Sequence, residues 1–143
     1  MRTIYSTGPV ENAAANASIS TWVKVLNLSE SQEITVEVKV FKLNGQKSEI
    51  AFSNFTVFPL SSDFDVFEVL DVLQYEVQVA VSDDTNALIT VWGKDADANL
   101  IAAQRFVQNE LNVINKPTTN LVYKPKTTKR KPNRSSNRRV RRR

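Results

Sequence analysis

The chain has 143 residues, 41% of them hydrophobic, a formal net charge of +4, no cysteine and no histidine. This length suits one domain with a segment to spare. The missing cysteines exclude disulfides and thiolate metal sites, and the missing histidines remove the commonest general base and zinc ligand.

Residues 1–17 contain Gly8-Pro9 and the Ala-rich stretch from Asn12 to Ala17 but no regular alternation. A lone stretch this short is marginal as a helix, so a flexible N-terminal arm is expected. From Ile19 the period becomes two. Ile19, Thr21, Val23 and Val25 share one face, and Trp22, Lys24 and Leu26 share the other. Ile34 to Val40 places valines inward and Thr35, Glu37 and Lys39 outward. Asn44-Gly45 then predicts a type I′ hairpin, with positive φ at both residues. The return strand runs from Lys47 to Phe58 and is stopped by Pro59.

Further strands are expected over Asp63–Val69, Tyr75–Val81 and Leu88–Gly93, separated by polar turns at Asp83–Asn86 and Asp95–Asn99. Ile101–Leu111 reads as the last strand. The expectation for residues 18–115 is therefore all-β, a single β-sandwich or jelly roll of about seven to eight antiparallel strands. No stretch approaches the roughly 18 apolar residues of a membrane span. Met1–Pro9 also lacks the apolar core of a signal peptide, so synthesis in the cytoplasm and no membrane partner are expected.

Residues 116–143 differ in kind. They hold twelve of the 19 basic residues and no acid, which leaves seven bases against all 15 acids in residues 1–115. With almost no apolar residue after Tyr123, this segment is expected to be a disordered basic tail. Lys124, Lys126, Lys129, Arg130, Lys131, Arg134, Arg138, Arg139, Arg141, Arg142 and Arg143 are its candidate polyanion-binding residues. Only Tyr123 interleaves an aromatic ring with them, which argues against sequence-specific readout by the tail.

Signals for catalysis are thin. Asp63 and Asp65 fall on one face of a strand, which in an acidic domain reads as the solvated side, and three glycines leave no phosphate loop. Asp95-x-Asp97-x-Asn99 imitates the start of a calcium loop, but Leu100 stands where the EF-hand needs glycine and Phe106 where it needs the bidentate acid. No metal, cofactor or catalytic residue is assigned, and the chain is expected not to be an enzyme.

Arg2-Thr-Ile-Tyr-Ser-Thr-Gly-Pro9, the strand Trp22–Asn27 and the Val36–Gly45 hairpin resemble the spore-surface and endospore-appendage proteins of spore-forming Firmicutes. The resemblance spans about residues 2–111. It implies a jelly-roll core behind a flexible connector, with subunits that join by adding strands to one another, and deposition on a spore surface. The connector cysteines that cross-link appendage subunits are missing here, so that covalent polymerisation is excluded. The expected function is a non-enzymatic, self-associating structural protein of a spore or cell-surface layer, its partner another copy or another layer protein. Arg2, Thr3, Ile4 and Tyr5 would dock and the tail would attach electrostatically. The alternative expectation is non-specific binding of nucleic acid or another anionic polymer through the tail.

Overall fold

A computed structural model describes residues 2–13 and 17–115. They form two antiparallel sheets, a β-sandwich. The strands are β1 (Thr3–Ser6), β2 (Val10–Glu11), β3 (Ser20–Asn27), β4 (Ile34–Leu43), β5 (Lys47–Val57), β6 (Ser62–Glu68), β7 (Gln74–Val81), β8 (Ala87–Lys94), β9 (Leu100–Val107) and β10 (Asn112–Asn115). The first sheet has the order β10-β1-β7-β4-β5, with β2 also on β7, and the second has the order β6-β3-β8-β9. Hairpins join β4 to β5 and β8 to β9 within their sheets. The connections β3–β4 and β7–β8 cross between sheets, so the β3·β8 pair lies over the β4·β7 pair.

The alternation read in the sequence builds the core. Val36, Val38 and Val40 of β4 and Val77, Val79 and Val81 of β7 face Val23 and Val25 of β3 and Ile89 and Val91 of β8, all buried. Each such side chain contributes about 1.5–3 kcal/mol of transfer free energy. The β4–β5 turn departs from the expected type I′ geometry. Its loop is Asn44–Gln46 and only Gly45 has positive φ, at 74°. A three-residue loop needs one left-handed position, and glycine supplies it without steric cost.

Over its described residues 2–13, the flexible arm expected for residues 1–17 is corrected by the fold. Residues 3–6 form β1, inserted between β7 and β10, and Val10–Glu11 add to the same edge of β7. Thr3, Tyr5, Ser6 and Val10 are buried, and Arg2 pairs with Glu37 at 2.8 Å. Alternation over so few residues is too short to read, but the pairing and burial hold the segment in place. The expected last strand Ile101–Leu111 ends earlier, as β9 at Val107, where a 3₁₀ turn at Gln108–Glu110 breaks it, and a further strand, β10, follows beyond Leu111. The basic tail from Lys116 onward lies outside the described residues.

A buried polar hub locks the N-terminal segment to the last strands. The Gln104 Oε1 atom accepts from the Ser18 Oγ at 2.5 Å and from the Tyr75 OH at 2.9 Å. Its Nε2 donates to the Glu11 carbonyl at 3.0 Å and to the Asn12 Oδ1 at 2.8 Å. Asn12 Nδ2 donates onward to the Ser18 and Val72 carbonyls, at 3.0 and 2.9 Å. Burial pushes the Tyr75 phenol up to about 12, so it stays a donor across the physiological range.

Gly93 of β8 lies directly under this hub. A Cβ there would meet the Ser18 Oγ at 2.1 Å and the Gln104 Oε1 at 2.5 Å. Gly93→Ala is expected to lower stability by about 2 kcal/mol or more in urea unfolding, because it overpacks and breaks a satisfied network together. A midpoint unchanged from wild type would refute that account of the hub.

Candidate functional site

The open face of the second sheet carries a group of side chains that the linear sequence does not bring together. On β3, Trp22, Lys24 and Leu26 point away from the core, opposite to the buried Thr21, Val23 and Val25. The register sets Trp22 beside Val66 on β6 and beside Trp92 on β8, with Arg105 of β9 beyond Trp92. One step along, Lys24 lies between Phe64 and Thr90.

These side chains form a ladder of rings and cations. Trp22 and Phe64 stack with centroids 5.3 Å apart and planes 23° from parallel. The Lys94 Nζ lies 3.9 Å from the Trp22 centroid, and the Lys24 Nζ lies 5.8 Å from both Phe64 and Trp92. Exposed cation–π contacts stabilise by about 0.5–1 kcal/mol each. Phe64 remains 46% exposed, Leu88 48% and Leu26 37%, so the patch is open to solvent and apolar as well as basic. The indole N–H of Trp92 is shielded from solvent and has no acceptor among the described residues.

The sequence reading placed Trp22, Lys24 and Leu26 on one face but did not connect them with Phe64, Trp92, Lys94 and Arg105. The available signal was parity, and it was plain only on β3 and β8, where Trp22, Lys24 and Trp92 alternate with buried valines; Phe64 alternates with Asp63 and Asp65, and Arg105 follows the buried Gln104. Lateral neighbours come only from strand order, which period-two alternation does not encode.

The other candidates stand apart from this face. Thr3 to Tyr5 pair within their own sheet, Arg2 pairs with Glu37 of β4, and the tail cations Lys124 to Arg143 lie outside the described residues. Asp63 and Asp65 do share a face, but it is the inward side of β6, opposite Val25 and Val23. The sandwich is open there, with Asp63 exposed and Asp65 half-buried, and the Ser53 hydroxyl of β5 donates to Asp65. Charges pointing inward on an edge strand hinder further strands from pairing with it.

The Asp95 loop closes on itself. The Asp97 and Asn99 amides both donate to the Asp95 Oδ1 at 2.9 Å, which holds this carboxyl below the usual range, the Asn99 amide first. Among the described residues no three His, Cys, Asp or Glu side chains converge as a metal site. A cleft of about 440 Å³ runs between the loop Pro9–Glu11 and β9, lined by Ile101, Ala103, Gln104 and Phe106. Its glutamine is committed to the hub.

On the first sheet Glu76 is buried and fully partnered. Burial alone would raise its carboxyl. Hydrogen bonds from Lys47, Ser6 and Gln78, together with the Lys47 charge, outweigh this and hold it below the ordinary value. The Lys47 Nζ lies 2.8 Å away and the Ser6 Oγ 2.5 Å. A lowered folded pKa contributes stability above the unfolded value, and that contribution is lost as pH falls through the folded one. Glu76→Gln is therefore expected to flatten the fall in urea midpoint between about pH 5 and pH 3. A variant with the wild-type acid slope would show that Glu76 carries none of it.

Among the described residues no helix is long and apolar enough to cross a membrane. No family model, curated protein or solved structure matches the chain.

Proposed function

We propose that the chain is a non-enzymatic structural protein that self-associates within a spore or cell-surface layer, its basic tail attaching it electrostatically to neighbouring anionic material. The observation that carries the self-association is the outer edge of β5, which pairs with no strand among the described residues. From Ile50 to Phe58 this edge has neither a charge nor a proline, and Ile50 and Phe52 are 41% and 49% exposed. An edge strand of this kind offers unpaired N–H and C=O groups as a template for another strand.

The other edges are less inviting. β6 carries the inward Asp63 and Asp65, β10 is four residues long, and β9 carries Arg105. A bulge at Ile50 shifts the register, with Val40 opposite Ala51 and Phe41 opposite Glu49, so regular pairing is open from Ala51 to Val57. In this reading the docking element is β5 and not the segment Arg2–Tyr5, of which Thr3–Tyr5 already pair with β7 and Ile4 and Tyr5 also with β10. The placement in a spore or surface layer rests on the resemblance of residues 2–111.

A second reading, attachment to a polyanion through the tail alone, follows from the twelve cations and no acids of residues 116–143. Sedimentation velocity on the full chain at low and high salt separates the two. Strand addition predicts assemblies that persist at high salt and dissociate in Phe52→Lys, since charge on an edge opposes pairing. A protein that stays monomeric at high concentration in both salts would overturn the self-associating reading.

A further inference from the structure

The open face of the second sheet combines two chemistries, and together they specify a ligand. Its strands present Trp22, Phe64 and Trp92 alongside Lys24, Lys94 and Arg105. Their one outward acid is Glu68, at the margin, although residues 1–115 hold more than twice as many acids as bases. The cations select an anion. The rings favour an anion that itself carries flat, stackable groups.

We propose that this face binds single-stranded nucleic acid, with bases against Phe64 and the two indoles and phosphates against Lys24, Lys94 and Arg105. Four-stranded sheets with aromatics on an open face are known to stack two or three bases of single-stranded RNA. Base–aromatic stacking tolerates any sequence, because every base has a π-face. Three strand spacings set β6 and β9 about 14 Å apart, a span that suits a few nucleotides and not a long duplex footprint.

The ladder is built for exchange. Lys94 caps Trp22 at 3.9 Å, so its ammonium can leave the ring for a phosphate while a base takes its place. Phe64 stacks on Trp22 and restrains the indole, which lowers the ordering cost of binding. Arg105, exposed on β9, reaches the phosphate on the far side of Trp92. This site shares no residue with the β5 edge or with residues 116–143, and the proposal needs neither.

The chain has two tryptophans and both stand on this face, so their emission reports binding here and is indifferent to the tail. Full-length protein is titrated with a short labelled deoxythymidine oligomer, with polyphosphate as a polyanion without rings, and with heparin as an anionic polysaccharide. Anisotropy and tryptophan emission are followed together. The oligomer is expected to raise anisotropy and quench emission, whereas polyphosphate and heparin leave emission unchanged. Phe64→Ala, and separately Lys24→Glu with Arg105→Glu, should each weaken the quenching titration about tenfold, the scale of one lost stacked base or its phosphate contacts. If Phe64→Ala shifts the urea midpoint, Phe64→Leu keeps the apolar contact, removes the ring and serves instead. Oligomer binding without quenching would overturn the proposal and assign the binding to the tail. Equal quenching by heparin, or a quench indifferent to Phe64, would overturn it in favour of plain charge.

Discussion

The sandwich depends on one buried amide. Gln104 uses both ends of its side chain, accepting from Ser18 and Tyr75 and donating to Glu11 and Asn12. Four segments far apart in the chain meet there: the β2 strand, the approach to β3, β7 and β9. Valine packing drives the two sheets together but is non-directional. The hub adds direction, because a shifted segment would leave several buried polar groups without partners, at about 1–3 kcal/mol each. It also explains why an N-terminal segment with little hydrophobic content is seated against the fold.

How far the fold was legible in the sequence follows from which interactions are periodic. β3, β4, β7 and β8 show in the residues because each buries one face, and the side chains alternate accordingly. β5 and its turn were legible from Asn44-Gly45, although the loop has three residues and one left-handed position. β1, β2 and β10 are two to four residues long and held by pairing and by side-chain amides, neither of which leaves a periodic trace. The hub is four polar residues with no common spacing, so nothing in the linear order marks them as buried.

The same distinction governs the candidate surfaces. The outward side of Trp22 and Lys24 is a local property of β3 and was readable. Their meeting with Phe64, Trp92 and Arg105 depends on the order β6-β3-β8-β9, a property of the whole sheet. Asp63 and Asp65 show the converse. Their shared face was correctly read from parity, but β6 is an edge strand whose inward side is partly open, so a charged pair sits on the side that valines take elsewhere. The molecule thus has one edge defended by carboxylates, beside a neighbouring edge, β5, that is long, uncharged and undefended.

The pairing of the first and last strands determines how the sandwich bears tension. Ile4 lies opposite Asn115 and Ser6 opposite Asn112, so the chain leaves β10 beside the point where it begins β1. A force drawing residues 116–143 away from the N-terminus acts at the end of this ladder and opens its bonds one after another, like a zip. Val113 and Ile114 are 48% and 50% exposed, so little buried surface resists the peeling. β1 stays clamped by β7 on its other side. A load applied beyond Asn115 would therefore strip four residues from the edge first, a mechanical fuse that lengthens the pulled chain while the valine core and the open sheet face stay whole.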